Sequence, residues 1–369
     1  ADLCFNCKQC QLECPAHVNV PQMMIEAKAA RVATDGLGRA NWFLSRGHLL
    51  STLGSLVPRA SNWLLTQPAF RWTLDRTLGI HRQRKLPQLA RRPFLRTLRR
   101  SWTQRPRPGM TPRPVVYFVD HFANYHDPEL AMCLVRVLEH NQVAVHVPRD
   151  QRPSGMAMIS MGDLASASDL AEHNLRELGE LAREGHRIVC TEPAAAVCLQ
   201  QEYPRLVDHP DVEKVASQVI EAGAFLAELH AEGRLSRDFA PLDDVTAGYH
   251  TPCHLKALGQ ATPFRELLSL IPGLSLTTIE EGCSGMAGVF GMSRDNFSLS
   301  LKIGQPLIDR MRDSQLDIGT TECSSCRLQM EQGTTNQTLH PLKLLALSYG
   351  LAPEVHHRLM TPSRKLVIT

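Results

Sequence analysis

Ser284-Gly285-Met286-Ala287 repeats Ser154-Gly155-Met156-Ala157, which lies 130 residues earlier in a chain of 369 residues. Two further pairs keep the same order at nearly the same spacing: Thr191-Glu192 with Thr321-Glu322, and Tyr117 with Tyr249. Ordered matches at one spacing indicate an internal duplication, in which each copy is a separate folding unit. The rest of the chain can be interpreted outward from these two copies.

Strand-type and helix-type stretches alternate through both copies. We predict strands and amphipathic helices from their hydrophobic periodicity. The predicted strands are 115–119, 143–147, 187–190 and 246–250, and the predicted helices are 128–139 and 163–184. Strands that alternate with helices form a parallel sheet with helices on its faces. The sequence therefore predicts the α/β class, with two tandem duplicated domains at 115–245 and 246–369.

Two segments precede the duplicated part. Residues 1–80 are predicted to be an α-helical segment, with Asn19 capping a helix that ends at Gly36. Residues 81–114 carry eleven Lys or Arg, six Pro and no acidic residue, which excludes one regular helix and indicates a basic linker. A short amphipathic piece, Phe94–Trp102, could contact anionic lipid or an acidic partner; alternatively, the segment lies over the chain's own domains.

The composition is that of an ordinary globular protein, with 43% hydrophobic residues, 21% charged residues and a net charge of +3. We find no signal-peptide pattern and no apolar stretch long enough to cross a bilayer. Eleven cysteines, mostly at metal-ligand spacing, predict a reducing cytoplasm rather than disulfides. Three cysteines outside that spacing are predicted to be buried small hydrophobes: Cys133, Cys190 and Cys198. Nucleic-acid binding is not expected, because the chain has no recognition motif.

The first fifteen residues contain the pattern Cys4-x2-Cys7-x2-Cys10-x3-Cys14-Pro15. This spacing is typical of loops that wrap a [4Fe–4S] cluster, and the fourth cysteine of such a loop normally ligates a second cluster. A zinc knuckle is the simpler alternative. The pattern predicts a ferredoxin-like iron–sulfur segment at the start of the chain.

A second set of thiols lies in the C-terminal copy, at Cys253, Cys283, Cys323 and Cys326. Loops that follow parallel strands meet at one edge of the sheet, so these cysteines are expected to converge. Four thiolates there predict an iron–sulfur cluster, with zinc as the alternative. The matched positions of the first copy hold no cysteine; they are His121, Pro153, Pro193 and Ala196. The first copy is therefore expected to keep the fold and to lack the cofactor.

These motifs resemble the CCG or cysteine-rich domain found in the B subunit of heterodisulfide reductase, the C subunit of anaerobic glycerol-3-phosphate dehydrogenase and the iron–sulfur subunit of glycolate oxidase. The layout is most similar to the C-terminal iron–sulfur half of FAD-linked oxidases that act on D-2-hydroxy acids. The similar stretches are Asp2–Pro15, Gly282–Gly288, Thr321–Cys326, Glu331–Thr335 and His340–Leu344. The family has adjacent cysteines before the glycine, whereas this chain has Ser284 as the second residue of that pair. An ordinary [4Fe–4S] cluster is therefore expected, with Ser284 as a hydrogen-bond donor to sulfur.

The resemblance implies an iron–sulfur electron-transfer module of a flavin-dependent dehydrogenase that oxidises a small hydroxy acid or glycerol 3-phosphate. Electrons would pass from FAD, on a missing domain or a partner protein, through the clusters to a quinone or a soluble acceptor. Related ferredoxin domains carry two cysteine motifs, so the natural polypeptide is expected to extend upstream, with Cys14 serving a further, shared cluster. His254 is a candidate for proton-coupled transfer.

Two other functions remain open from the sequence. One is heterodisulfide reductase-like thiol–disulfide chemistry at the C-terminal cluster, against which the missing second cysteine argues. The other is a zinc-stabilised scaffold that docks a partner through its basic linker. The expected location is the cytoplasm, at the inner face of the membrane if residues 81–114 make a peripheral membrane contact.

Overall fold

The structure is a computed structural model that describes residues 1–16, 18–106, 114–259 and 263–359. The predicted α/β class is confirmed, because the strands form two parallel sheets with helices packed around them. Part of the predicted basic segment, at 107–113, lies outside the described residues.

The chain begins with a group of short helices. They are α1 (Gln9–Glu13), α2 (Val20–Asp35), α3 (Arg39–Ser45), α4 (Gly47–Gly54), α5 (Pro58–Leu64) and α6 (Pro68–Leu78). Helix α2 begins as predicted, since the Asn19 side chain accepts a hydrogen bond from the Gln22 amide at 3.2 Å. It ends before Gly36, whose φ of 76° is accessible to glycine without strain. Helices α5 and α6 both start with proline, which suits the first helical position.

The first sheet has four parallel strands in the order β2-β1-β3-β4. The strands are β1 (Val115–Phe118), β2 (Val145–His146), β3 (Ile188–Cys190) and β4 (Val219–Glu221). The helices around it are α8 (His121–Tyr125), α9 (Pro128–His140), α10 (Met156–Met161), α11 (Leu164–Arg183), α12 (Pro193–Val197), α13 (Tyr203–Leu206), α14 (Val212–Gln218) and α15 (Ala222–Ala231). Strand β1 is buried along its whole length, as both faces of a parallel sheet require.

The second sheet has the same arrangement, in the order β6-β5-β7-β8. The strands are β5 (Val245–His250), β6 (Leu274–Ile279), β7 (Ile318–Thr320) and β8 (Thr338–Leu339). The helices are α16 (Cys253–Ala257), α17 (Pro263–Leu268), α18 (Phe297–Met311), α19 (Ser324–Met330), α20 (Pro341–Ser348) and α21 (Pro353–Leu359). In both sheets the first strand of the sheet lies between its second and third strands, so the two sheets share one topology.

Most predicted elements are confirmed within one or two residues, but four strands were missed. Strands β4, β6, β7 and β8 were not predicted from the sequence. Three of them have only two or three residues, which is too short for an alternating pattern to stand out. Strand β6 lies at an edge of its sheet, and the exposed or half-buried residues 275–278 weaken its apolar signal.

The basic segment folds onto the body of the protein. It contains one 3₁₀ turn at Phe94–Arg96 and helix α7 (Arg100–Thr103). Phe94 and Trp102 are buried in the core beside the first sheet, and the Trp102 indole N–H donates to Glu139 at 2.6 Å. The apolar side of the predicted amphipathic piece is therefore not available to lipid, a correction to that part of the predicted membrane contact. The sequence alone does not predict this burial, because Phe94 and Trp102 are covered only once the first sheet has folded.

Side chains at the end of the fourth strand of each sheet lie where the two halves of the molecule meet. Glu221 ends β4 and accepts a hydrogen bond from the Gly223 amide, and burial beside Glu322 raises its pKa. His340 follows β8, caps α20 and donates from Nε2 to the Thr191 carbonyl at 3.0 Å. The two sheets therefore meet through equivalent positions.

A buried carboxylate ties α9 to the second half of the chain. Asp127 lies 2.7 Å from both Arg327 and Lys343, and the Lys343 side chain is fully buried. Asp127 also caps α9, because its carboxylate accepts a hydrogen bond from the Leu130 amide. Charges placed out of water need such a partner, because each ion costs several kcal/mol to desolvate.

Within the described residues, no helix has the length and apolar character that a membrane span requires. Cys133, Cys190 and Cys198 are fully buried, so the prediction that they are small core residues is confirmed. Burial raises the pKa of Cys133 to about 12.

The Asp127→Asn variant tests the buried charge cluster. The amide keeps the helix cap but leaves Arg327 and Lys343 short of a counter-charge, so unfolding free energy should fall by about 3 to 5 kcal/mol. Denaturant unfolding followed by circular dichroism measures the change. Asp169→Asn, on the exposed face of α11, should change stability by no more than about 0.5 kcal/mol. Equal midpoints for the two variants would contradict this role of Asp127.

Candidate metal centre

The four C-terminal cysteines lie on segments that follow the strands of the second sheet. Cys253 begins α16 directly after β5, and Cys283 lies in the loop after β6. Cys323 follows β7 and precedes α19, whose first turn contains Cys326. All four line one cavity, as the convergence of parallel strand ends predicts.

Glycines shape the loop that carries Cys283. Gly282, Gly285 and Gly288 all have positive φ. At Gly285 an added Cβ would overlap the backbone oxygen of Ser300, so only glycine fits there. Ala287 is a non-glycine residue with positive φ in the same loop, which is an uncommon conformation. The repeated Ser-Gly-Met-Ala motif thus begins a tight turn against α18.

The thiols are close enough to influence one another electrostatically. Burial, and then the charges of Cys283, Cys323 and Cys7, raise the pKa of Cys253 well above its usual value. The pKa of Cys323 is raised by its hydrogen bond with Cys326 and by burial. Thiols in this state stay protonated until a metal replaces the protons.

Hydrogen-bond donors surround the sulfur atoms. The Ser284 hydroxyl lies 3.2 Å from Cys326 Sγ and is buried with it. The Gly285 amide donates to Cys283 Sγ at 3.3 Å. Donors in these places stabilise a thiolate or a cluster sulfur, and their number tunes a cluster's potential.

The N-terminal cysteine motif forms a loop followed by α1. Asn6 and Lys8 both have left-handed backbone conformations, with φ of 58° and 65°. Alternation of such residues turns backbone N–H groups towards a common concavity, an arrangement that many iron–sulfur sites use. Burial raises the pKa of Cys7, with smaller contributions from Cys10 and Cys4. Cys14 is half-buried and follows the end of α1.

Polar contacts fix this loop on the second sheet. The Gln9 side chain donates to the Cys253 carbonyl at 3.2 Å, and His254 Nε2 lies 2.9 Å from the Asn6 carbonyl. Burial lowers the pKa of His254. His254 therefore holds the cysteine loop through a neutral ring that donates one hydrogen bond.

The same loop is bound to the first sheet. Lys8 makes a buried ion pair with Glu202, and Asn6 Nδ2 donates to the same carboxylate at 3.0 Å. Lys28, from α2, donates to the carbonyls of Cys4 and Ser160. Gln9 Nε2 also donates to the Cys7 carbonyl at 3.3 Å, so one side chain links Cys7 to Cys253 and the two predicted cysteine groups lie side by side.

The cysteine groups open into one large cavity of about 1040 Å³. Cys4 and Cys7 line it together with the four C-terminal thiols. Cys10 lies on α1 and is exposed. Side chains of α3 to α6 and of the first sheet complete the lining.

Two of the four positions in the first half that correspond to the C-terminal cysteines border the same cavity. His121 and Pro153 line it, as do Glu192 and Ala194 next to Pro193. None of these side chains is a thiol, so a cluster cannot be held on this side in the manner of the second sheet.

Sequence reasoning missed several charged residues near the thiols. Glu192 accepts a hydrogen bond from the Ser324 amide at 3.1 Å, and burial beside Cys323 raises its pKa well above the usual value. Glu322 is hydrogen-bonded to the Tyr249 hydroxyl, and burial raises its pKa to about 7. The repeated Thr-Glu pairs and the repeated tyrosines could have marked these residues as structurally important. The repeats do not indicate which groups the residues contact.

The chemistry of the donors fits an iron–sulfur cluster. Within the described part of the chain, no three His, Cys, Asp or Glu side chains converge closely enough to hold a metal ion. In a [4Fe–4S] cubane each thiolate binds its own iron atom, and the ligands are all cysteines. The individual ligand assignments stay predictions.

Comparison with known proteins identifies the class of the cysteine-rich part. Residues 247–331 match the family described as "CCG: Cysteine-rich domain". This confirms the resemblance that the cysteine motifs carried, and the matched residues contain all four C-terminal cysteines.

Similar proteins extend the match over nearly the whole chain. The C subunit of anaerobic glycerol-3-phosphate dehydrogenase from Escherichia coli is 29% identical over 90% of this chain and 82% of its own length. The B subunit of fumarate reductase (CoM/CoB) from Methanothermobacter marburgensis is 24% identical over 93% of this chain and 59% of its own length. D-2-hydroxyglutarate dehydrogenase of Escherichia coli is also 24% identical, and 34% of its length is covered.

The Gly285→Ala variant tests the loop that positions Cys283. The methyl group would overlap Ser300, so the loop must move, and bound iron per chain should fall by about half, with a lower melting temperature. Gly288→Ala is the matched control. It adds a left-handed alanine in the same loop with nothing within 4 Å, and should cost only about 1 kcal/mol while iron is retained. Full iron content in Gly285→Ala would contradict this role of the turn.

Proposed function

We propose that this protein is the iron–sulfur electron-transfer module of a flavin-dependent dehydrogenase. One [4Fe–4S] cluster would be bound by the N-terminal loop and another by Cys253, Cys283, Cys323 and Cys326. Cys4, Cys7, Cys10 and Cys14 would be the thiols of the N-terminal loop, with Cys14 serving either the local cluster or a further, shared one. The single observation that carries the proposal is the placement of Cys7 beside Cys253: the Gln9 side chain donates to the carbonyls of both, at 3.3 and 3.2 Å, and Cys7 lines one cavity with the four C-terminal thiols.

Proximity of two clusters is what one-electron transfer requires. The N-terminal loop is bound to both sheets through buried contacts, so the separation of the two sites is fixed rather than variable. The protein's contribution would be ligation, burial and hydrogen bonds to sulfur, including the one from Ser284.

The proposed domain organisation follows the sequence. Residues 1–80 would be a helical ferredoxin-like segment, 81–114 a basic connecting segment, and 115–245 and 246–369 two CCG-type domains derived by duplication. The identical strand order of the two sheets supports this division. So do the equivalent positions of Glu221 and His340, which cap the helix after the fourth strand of each sheet.

A flavoprotein is the proposed electron donor. The similar proteins are named as subunits or forms of a glycerol-3-phosphate dehydrogenase, a fumarate reductase and a D-2-hydroxyglutarate dehydrogenase. FAD and the site that oxidises a small hydroxy acid or glycerol 3-phosphate would lie on a partner protein or another domain. Electrons would leave to a quinone or a soluble acceptor.

Peripheral membrane contact, in the cytoplasm, belongs to the same proposal. The observations that support this contact concern exposed side chains on and between α4 and α5, not Phe94 and Trp102. Leu53, Leu56 and Trp63 are each more than 60% exposed. The Asn62 side chain binds both the N–H and the carbonyl of Leu89 at 2.8 Å, so the basic segment runs directly beside these apolar side chains. Apolar and basic groups on one surface suit an anionic bilayer.

The Cys323→Ser variant tests the proposal. Anaerobically reconstituted wild type should contain iron and sulfide and give a [4Fe–4S] electron paramagnetic resonance signal after reduction. The variant should lose about four irons per chain, because a serine hydroxyl replaces one thiolate ligand. Cys190→Ala, a buried cysteine of β3, is the matched control and should keep all the iron.

Three results would contradict the proposal. Zinc without iron would indicate a scaffold. Equal iron in Cys323→Ser and wild type would remove this cysteine from the site. Disulfide turnover by the isolated chain would indicate the heterodisulfide reductase-like function, for which the chain has Ser284 in place of the second cysteine.

A further inference from the structure

Arg84 carries a positive charge into the interior of the second half of the molecule. It belongs to the basic segment, and its side chain is only 1% exposed, whereas Arg82 in the same segment is exposed. Burial lowers the pKa of Arg84 to about 10, which is still well above neutral pH, so the guanidinium stays charged. A permanent charge that leaves water is strongly unfavourable unless another charge compensates it.

The groups that contact the Arg84 side chain are neutral. Nη1 donates to the side-chain oxygens of Gln329 and Gln332, and Nη2 donates to the Ser300 hydroxyl at 3.0 Å. The guanidinium also lies over the Phe297 ring, 4.6 Å from its centroid. Within the described residues no carboxylate forms an ion pair with Arg84, and its Nε has no hydrogen-bond partner. Dipoles and a ring therefore surround this charge, but no anion balances it.

Two other buried cations near the thiols have the usual kind of partner. Lys8 forms an ion pair with Glu202, and Arg327 forms one with Asp127. Both pairs satisfy the rule that a charge inside a protein is accompanied by an opposite charge. Arg84 departs from this rule, so an anion that compensates it has to come from a group other than the carboxylates of the described chain.

The partners of Arg84 lie next to two of the predicted cluster ligands. Gln329 lies on α19 one turn after Cys326, and residues at this spacing are neighbours on a helix. Ser300 packs against the turn that follows Cys283, so closely that its backbone oxygen excludes a Cβ there. Gln329 Nε2 also donates to the Ser300 carbonyl at 3.0 Å. One layer of groups therefore lies between the guanidinium and the C-terminal thiols.

We propose that Arg84 is the internal counter-charge of the C-terminal cluster and raises the reduction potential of that cluster. The inference rests on the proposed iron–sulfur function and assigns a role to a residue outside the ligand set. A [4Fe–4S] cluster held by four thiolates is negatively charged, and one-electron reduction adds a further negative charge. A fixed positive charge nearby stabilises the reduced form more than the oxidised form, so the potential rises.

The interior position makes the charge of Arg84 effective. Salt and water screen exposed charges, but they screen buried charges much less. The charge of Arg84 therefore acts on the cluster site with little loss, whereas that of exposed Arg82 is screened. The stabilisation is mutual, because the negative cluster also compensates the buried guanidinium.

The N-terminal cysteine loop has a different buried cation beside it. Lys28 donates to the carbonyls of Cys4 and Ser160. The side-chain partners of Arg84 all lie on α18, on α19 or directly after α19. Arg84 should therefore act on the C-terminal cluster more strongly than on the N-terminal one, which provides an internal reference in each variant.

Redox titration of the anaerobically reconstituted protein, followed by electron paramagnetic resonance, tests this role. The C-terminal signal is the one that Cys323→Ser removes. In Arg84→Gln its midpoint potential should become more negative, so that the ratio of reduced to oxidised cluster at a fixed ambient potential falls about tenfold, or about 59 mV for a one-electron couple. Arg84→Lys keeps the charge and should change this ratio by less than about threefold.

Arg82→Gln is the matched control. It removes the same charge from an exposed side chain of the same segment, and the ratio should change by less than about threefold. Gln332→Glu provides a second route that leaves Arg84 in place. Its carboxylate would lie against the guanidinium and offset the positive charge, so the C-terminal potential should again become more negative.

An unchanged C-terminal potential in Arg84→Gln would overturn the role of Arg84. If Arg84→Gln fails to fold or to bind the cluster, an unchanged potential in Gln332→Glu would overturn it. Equal shifts in Arg84→Gln and Arg84→Lys would assign the effect to hydrogen bonds rather than charge, and an equal shift in Arg82→Gln would assign it to net charge; either result contradicts the inference. A wild type without any [4Fe–4S] signal would instead defeat the proposed electron-transfer function.

Discussion

The buried ion pair between Lys8 and Glu202 is the contact on which the geometry of the metal centre depends. Both side chains are almost wholly removed from water, so neither can lose its partner without a cost of about 3 to 5 kcal/mol. Lys8 lies inside the cysteine loop, and Glu202 ends the π-helical segment Cys198–Glu202, which directly continues α12 beside the first sheet. The pair therefore fixes the loop on one sheet while Gln9 and His254 fix it on the other.

Because of this attachment, three parts of the chain contribute residues to the proposed metal centre. The loop supplies Cys7, the second sheet supplies four thiols, and the first sheet supplies Glu192, whose carboxylate holds the Ser324 amide between Cys323 and Cys326. A carboxyl buried beside thiols that carry negative charge on metal binding is unfavourable unless it is protonated or hydrogen-bonded. Glu192 meets the second condition because it accepts a hydrogen bond from the Ser324 amide, and burial beside Cys323 raises its pKa.

The sequence was sufficient to predict local secondary structure, but it was not sufficient to predict contacts between residues that are distant in the chain. Asn19 at the start of α2 and the apolar runs of β1 and β5 are local signals, and they predicted those elements correctly. Cysteine spacing led to the related CCG domain. The contact of Lys8 with Glu202 joins residues that are far apart in the chain, and no local pattern encodes it. The prediction that Phe94 and Trp102 could contact lipid was wrong for the same reason, since only the folded sheet covers these side chains.

The magnetic coupling between the two proposed clusters tests the central claim most directly. In fully reduced protein, electron paramagnetic resonance should show a spectrum broadened and split by spin–spin interaction, because Gln9 bridges the carbonyls of Cys7 and Cys253 and both cysteines line one cavity. When only one cluster is reduced, the spectrum should be that of an isolated [4Fe–4S] centre. Two clusters that give simple additive signals in the fully reduced protein would contradict the arrangement described for the two cysteine groups.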